Sequence, residues 1–151
     1  MEVHPALPER PEVFAEKLRL YSPGCRKLVL RGRIVGYGIA HPWMLDAIPP
    51  LDAFLVALPP APQCLYIHDV AVLPAARGRG AAQRYVGVIR GLAASAGVDS
   101  LALVSVYGTH VLWSRFGFRV VVNERIEPQL ASYGPSARYM VREHNNSPLA
   151  C

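Results

Sequence analysis

At 151 residues the chain is long enough for one domain with a core of its own. Apolar residues make up 52% and charged residues 18%, which excludes an intrinsically disordered chain. Sixteen Lys and Arg against 11 Asp and Glu leave a formal charge of +5; the cations are scattered, so the excess suits a small anionic ligand or an acidic surface and is only weak support for nucleic acid, which is not expected as a partner.

In chain order, residues 1–10 carry no periodic pattern and read as irregular. Pro11–Leu20 reads as a helix, with Pro11 in its first turn and Val13, Phe14 and Leu18 on a shared face. Lys27–Leu30 and Ile34–Ala40 read as strands joined by the hairpin signal Arg31-Gly32-Arg33. Trp43–Pro62 gathers Pro49, Pro50, Pro59, Pro60 and Pro62 around the apolar piece Leu51–Leu58. It reads as a long ordered loop with one or two helical turns, and a loop of that length in a compact domain is usually functional. Leu65–Leu73 is the third strand. Gly80–Ala96 is a helix with Tyr85, Val88, Ile89 and Leu92 on one face, ended by Gly97. Leu101–Val106 is a near-continuous apolar strand, as expected where a sheet is covered on both faces. Thr109–Phe116 is a short helix ended by Gly117, Phe118–Val122 and Ala137–Val141 are strands, and residues 143–151 read as a flexible tail. The strand–helix–strand unit from Leu65 to Val106 calls for a parallel crossover. One mixed α/β domain over residues 1–151 is expected.

Cys25, Cys64 and Cys151 form no CxxC pair and no metal-ligand spacing, and His4, His110 and His144 show none either. The reading is reduced thiols, no metal and a cytoplasmic protein. The segment MEVHPALPERPEVFAEK has no apolar h-region and no apolar run reaches about 18 residues, so neither export nor membrane association is expected.

The stretch Leu65–Gln83, LYIHDVAVLPAARGRGAAQ, carries the chemistry. An apolar strand runs through Leu-Pro into a glycine- and arginine-rich turn, and a helix pattern follows. Gly78 and Gly80 let the backbone turn sharply and approach a ligand closely, and Ala81 and Ala82 keep the helix start small. The first N–H groups of a helix lack intrahelical partners and the macrodipole is positive there, so phosphate can be held. Arg77 and Arg79 add cationic partners. Taken alone, such a turn is as readily a flexible basic connection.

Arg77-Gly78-Arg79-Gly80-Ala81-Ala82 fits R-x-x-G-x-A directly after a V-x-L-P strand end. This resembles the acetyl-CoA-binding motif, Q/R-x-x-G-x-G/A, of the GNAT superfamily of N-acetyltransferases. Leu112-Trp113-Ser114-Arg115-Phe116-Gly117-Phe118 is similar to that superfamily's later Y-E-K-L-G-F segment. The resemblance covers about Arg26 to Val141. It implies a mixed, mostly antiparallel sheet with a central parallel β-α-β splay, flanked by helices, whose first strand and most of whose first helix have no counterpart here. It further implies that Val70, Ala71 and Val72 hold the pantetheine arm through their backbone and that Gly78–Gln83, including Gln83, cradle the pyrophosphate. Acetyl-CoA is then the cosubstrate, a small-molecule primary amine the acceptor, and direct attack in a ternary complex the reaction. The alternative is a non-catalytic or degenerate acyl-CoA-binding relative. Either the true start lies upstream of Met1, or Lys27–Leu30 is left as an exposed edge that invites pairing with a second copy.

Acetyl transfer to an amine needs a neutral amine and a proton for the departing thiolate. Alternation along the third strand puts Cys64, Tyr66, His68, Val70 and Val72 on one face and Leu65, Ile67, Asp69 and Ala71 on the other, unless a bulge near Val70 re-aims Asp69. Asp69 is the competing base, but it reads more readily as structural, bonded to backbone N–H groups under the helix. His68 occupies the strand position where arylalkylamine acetyltransferases carry a histidine, and Tyr66 matches their neighbouring one. An imidazole suits the base role because it titrates near about 6.5, although a strand histidine also serves as a core group. Many family members place a tyrosine acid where this chain has Trp113, and indole N–H cannot serve. Tyr107 is the nearest substitute acid, unless a thiolate of pKa about 8.5 leaves unaided. Trp113 itself lines an acyl channel or fills the core. His41, Trp43 and Tyr133 are candidates for the acceptor pocket, Tyr66 with them.

Overall fold

The computed structural model describes residues 9–143 and runs α1 (Pro11–Leu20), β1 (Arg26–Leu30), β2 (Arg33–Trp43), β3 (Cys64–Val72), α2 (Ala81–Ala96), β4 (Ser100–Ser105), α3 (His110–Arg115), β5 (Arg119–Val120), α4 (Glu127–Leu130) and β6 (Arg138–Glu143). The strands form one sheet in the order β1-β2-β3-β4-β6-β5. Every pairing is antiparallel except β3 with β4, which α2 connects. The expected α/β architecture with a central parallel pair is what the chain adopts, and β1 is an edge strand. Among the described residues no strand precedes α1. The tail expected over 143–151, apart from Glu143, and Cys151, His4 and His144 lie outside the described residues.

Two apolar clusters cover the sheet. On one face Leu65, Ile67, Leu101, Leu103 and Met140 pack against Tyr85, Val86 and Ile89 of α2. Each fully buried aliphatic side chain there contributes about 1.5–3 kcal/mol. On the other face Cys64, Tyr66, Ala102, Tyr139 and Val141 pack with Ile48, Ile126 and Tyr133 from loops and turns. The αL conformation of Gly97 closes α2, as its place in the sequence predicts.

Three local expectations are corrected. The buried side of α2 is Tyr85, Val86, Ile89 and Ala93, with Val88 38% exposed, because the helix meets the sheet one residue further round than the apolar stripe implies. On α1, Leu18 is exposed and Val13, Glu16 and Lys17 are buried. The third concerns residues 44–63, which form no helical turn. Positive φ at Asp46, Asp52 and Val56 breaks any helical run there. The Glu16 carboxylate instead accepts the backbone N–H groups of Leu55 (2.6 Å) and Val56 (3.0 Å). Asp52 accepts both the backbone N–H and the guanidinium of Arg10. Charged groups on and before α1 thus tie the proline-rich loop down, and that requirement, not apolar periodicity, decides which face of α1 is buried.

The strand alternation is also corrected. In the β2–β3 ladder Ile39 pairs with Asp69 while Ala40 pairs with Ile67, so His68 is the extra residue of a β-bulge. Val70 beyond the bulge packs with Leu65 and Ile67 toward α2, not beside His68. Asp69 is turned to the His68 side. Gly38, opposite Val70, is glycine because a Cβ there would lie 2.5 Å from the Tyr85 ring.

Candidate active site

β3 ends at Val72, and Leu73 donates its N–H to Val35 O before a single 3-10 turn at Pro74–Ala76. The chain then reaches Gly78 (φ +77) and Gly80 (φ +74). A Cβ at either would meet nothing within 4 Å, so backbone conformation and not crowding demands glycine there. α2 begins at Ala81 with no side-chain cap. Its first N–H groups and the positive end of its dipole are therefore left for an acidic ligand. These residues fit the pyrophosphate of a coenzyme A ester: open space over positive-φ glycines, an uncapped sixteen-residue helix, and Arg77 alongside. Arg77 Nε donates to Val72 O at 3.0 Å, which sets the guanidinium across the strand end.

The parallel ladder of β3 and β4 holds for three pairs, ending at Ile67 with Leu103. Beyond it the strands part at the His68 bulge, and a cleft of about 620 Å³ opens through the sheet. That size is ordinary for a small-molecule site. On the α2 side it is lined by Val70, Val72, Arg77, Gly78, Gly80, Ala81, Ala82 and Gln83, with Trp113 and Phe116 as a wall. On the opposite side stand Glu9, Leu51, His68, Asp69 and Tyr133, with Tyr107 at the rim.

The polar groups on that second side are paired with one another. Nε2 of His68 lies 3.1 and 3.3 Å from the two carboxylate oxygens of Glu9. The two side chains are only 2% and 7% exposed. Nδ1 of His68 is buried without a partner among the described residues. Asp69 Oδ2 accepts from the Tyr37 hydroxyl at 2.8 Å. Burial, reinforced by Asp69, pushes the Tyr37 phenol far above its ordinary value, so it acts as a donor and never as an anion. Behind His68 lies His41, ring centroids 5.8 Å apart. Its Nδ1 is 3.0 Å from Pro42 O. A carbonyl only accepts, so Nδ1 carries the proton. Burial, with a smaller contribution from His68, holds the His41 pKa down at about 3.

The sequence candidates divide accordingly. His68, Tyr107, Tyr133, Val70, Val72, Arg77, Gly78, Gly80, Ala81, Ala82 and Gln83 all line the cleft. Ala71 is buried and Arg79 is exposed, and neither lines it. His41 and Tyr66 are buried behind the cleft and not in it, and Trp43 packs edge-on against His41. Trp113 does both things open to it: it lines the cleft and packs edge-to-face on Phe116 and Phe118. Asp69 accepts a hydrogen bond from the Tyr37 hydroxyl. The residue that sequence reasoning missed is Glu9. No local pattern marks it, since its role comes from a contact with His68, 59 residues away. Among the described residues no group of three or more metal-ligating side chains occurs, and no helix is long and apolar enough to cross a membrane.

Comparison with known proteins bears on the family and the fold. Residues 3–118 match the model of the acetyltransferase (GNAT) family. No curated protein matches the sequence. Among solved structures, the GNAT-like decarboxylase GphF in complex with isobutyryl-CoA superposes with a TM-score of 0.71 at 15% identity, covering 95% of this chain and 90% of that one. Naa20 of Chaetomium thermophilum with a bisubstrate analogue gives 0.64 at 16% identity, covering 90% and 74%. A Bacillus anthracis protein assigned as a streptothricin acetyltransferase, in complex with acetyl coenzyme A, gives 0.55 at 15%, covering 76% and 58%. At such identities these likenesses speak to the fold.

Proposed function

This chain belongs to the acetyltransferase (GNAT) family, and on that premise we propose that it is an N-acetyltransferase that moves an acetyl group from acetyl-CoA to the primary amine of a small molecule by direct attack in a ternary complex. One observation carries the reading. A single cleft joins a glycine turn and uncapped helix start on one side of the sheet to His68, Glu9 and Asp69 on the other. Acetyl-CoA supplies the acyl group activated as a thioester. The chain's own residues do the rest: Gly78–Gln83 bind anionic oxygens through backbone N–H groups, and the Val70 and Val72 backbone offers an edge along the cleft. Trp113, Phe116 and Leu103 give it apolar walls. His68 takes the proton that an arriving ammonium must lose. Tyr107, at the rim, is the candidate donor to the departing thiol.

The decarboxylase likeness suggests a second chemistry in which the acyl group itself bears a carboxylate. Two acidic side chains, Glu9 and Asp69, line that side of the cleft. Like charges there oppose an anionic acyl group and favour an ammonium. The reading is tested by measuring thiol release from acetyl-CoA across a panel of primary amines, with coenzyme binding followed by calorimetry. Amine-dependent release supports transfer. Coenzyme binding without release above background for any amine would make the protein a non-catalytic acyl-CoA binder, and absence of both would overturn the proposal.

A further inference from the structure

The pairing of Glu9 with His68 has a consequence for which nitrogen does the chemistry. A carboxylate only accepts, so the bond between Nε2 and Glu9, 3.1 Å to the nearer oxygen, requires the proton of neutral His68 on Nε2. Nδ1 is then a bare lone pair, and it is the nitrogen buried without a partner among the described residues. A buried acceptor left unmatched carries a free-energy cost that a donor brought against it would remove. His41 cannot be that donor. Its proton sits on Nδ1 and bonds Pro42 O, so its own free Nε2 is a second bare acceptor. Tyr66, whose ring centroid is 6.0 Å from that of His68, is engaged with Tyr133 instead.

We propose that Glu9 is a positioning residue which holds His68 in the Nε2–H tautomer and so makes Nδ1 the atom that receives the substrate proton. In the step, an N–H bond of the acceptor ammonium breaks and an Nδ1–H bond forms. The positive charge passes from substrate nitrogen to imidazolium, where the adjacent carboxylate balances it, and the freed lone pair stays on the amine. The arrangement follows the logic by which a carboxylate orients a catalytic imidazole without taking its proton. Here the carboxylate comes from the segment just before α1, in a part of the chain whose sequence shows no pattern.

This rests on the amine-acetylation reading, so the test has one arm that needs no substrate. Nitrogen-15 correlation spectra of the free protein report which ring nitrogen of His68 is protonated. The expected result is the Nε2–H tautomer in the wild type, a mixture of tautomers in Glu9→Ala, and retention in Glu9→Gln, whose amide oxygen accepts the same bond. In turnover, Glu9→Ala should lower kcat by about tenfold to hundredfold with the acetyl-CoA Kd unchanged, and Glu9→Gln should restore part of the loss. Finding Nδ1–H in the wild type would overturn the assignment, as would a Glu9→Ala protein with unchanged tautomer and unchanged kcat. If no amine supports turnover, the functional reading fails while the spectra still decide the role of Glu9.

Discussion

The two sides of the cleft are built in opposite ways. The α2 side is contiguous: Val70 to Gln83 run from strand through turn to helix, and the groups offered to a ligand are mostly backbone N–H. The other side is assembled from Glu9, Tyr37, Leu51, His68, Asp69 and Tyr133, drawn from five separated stretches, and works through side chains. A site made of backbone depends on φ and ψ, which nearby residues set. A site made of side chains depends on tertiary packing, which distant residues set.

If that contrast is right, Gly80→Asp should have the largest effect. It adds a negative charge where phosphate is to be held and forces a side chain onto φ +74. Acetyl-CoA affinity should fall on the order of a thousandfold by calorimetry. A Cβ there meets nothing within 4 Å, so the stability cost is that of the left-handed backbone alone and thermal stability should drop by about 1–2 kcal/mol. A variant that still binds the coenzyme tightly would show that the turn is not its site. Next, His68→Ala should cut kcat about a hundredfold near neutral pH while leaving acetyl-CoA affinity within about twofold. Turnover should climb back toward about pH 10, where the amine arrives already neutral; an unchanged rate would remove His68 from the mechanism.

Smaller effects test the packing behind the site. His41 is held down at about 3 against an ordinary 6.5, so the folded state binds fewer protons than the unfolded one. Its contribution to stability is complete above about 6.5 and is lost as pH falls toward 3. Urea unfolding should show about 1–2 kcal/mol less stability at pH 5 than at pH 7 on this account, and His41→Gln should flatten that difference. Equal slopes in both proteins would show that His41 is not the titrating group. Last, Tyr37→Phe removes a hydrogen bond of 2.8 Å to Asp69 and should cost about 1 kcal/mol in denaturant unfolding, with acetyl-CoA affinity unchanged. A coenzyme affinity that moved with this change would mean the two sides of the cleft are less separate than their construction implies.

Legibility from the sequence follows the same division. Helix α1 and the end of α2 at Gly97 were readable because Pro11 and Gly97 act on their own neighbours. The glycine turn was readable for the same reason, and so were the central strands. What the sequence hid is non-local. Strict alternation cannot register that His68 is one residue too many for its partner strand, since the bulge exists only in the pairing of Ile39 with Asp69 and Ala40 with Ile67. Nor can it tell that Glu16 and Lys17 go inward, because what they satisfy is the backbone of residues 53–56. His41 and Trp43 looked like acceptor-pocket residues from their place at a strand end, yet β2 continues through them and buries the imidazole.

The clasp between Arg10 and Asp52 gives the proline-rich loop a reach beyond its own contacts. Arg10 is fastened through both its backbone N–H and its guanidinium, and Glu9 is the next residue toward the N-terminus. The loop thereby acts as an anchor post for the carboxylate that faces His68. Lengthening, shortening or redirecting residues 44–63 would shift the reach of Glu9 without altering any residue on the α2 side of the cleft. Acceptor preference can in this way drift through loop variation while coenzyme handling stays constant.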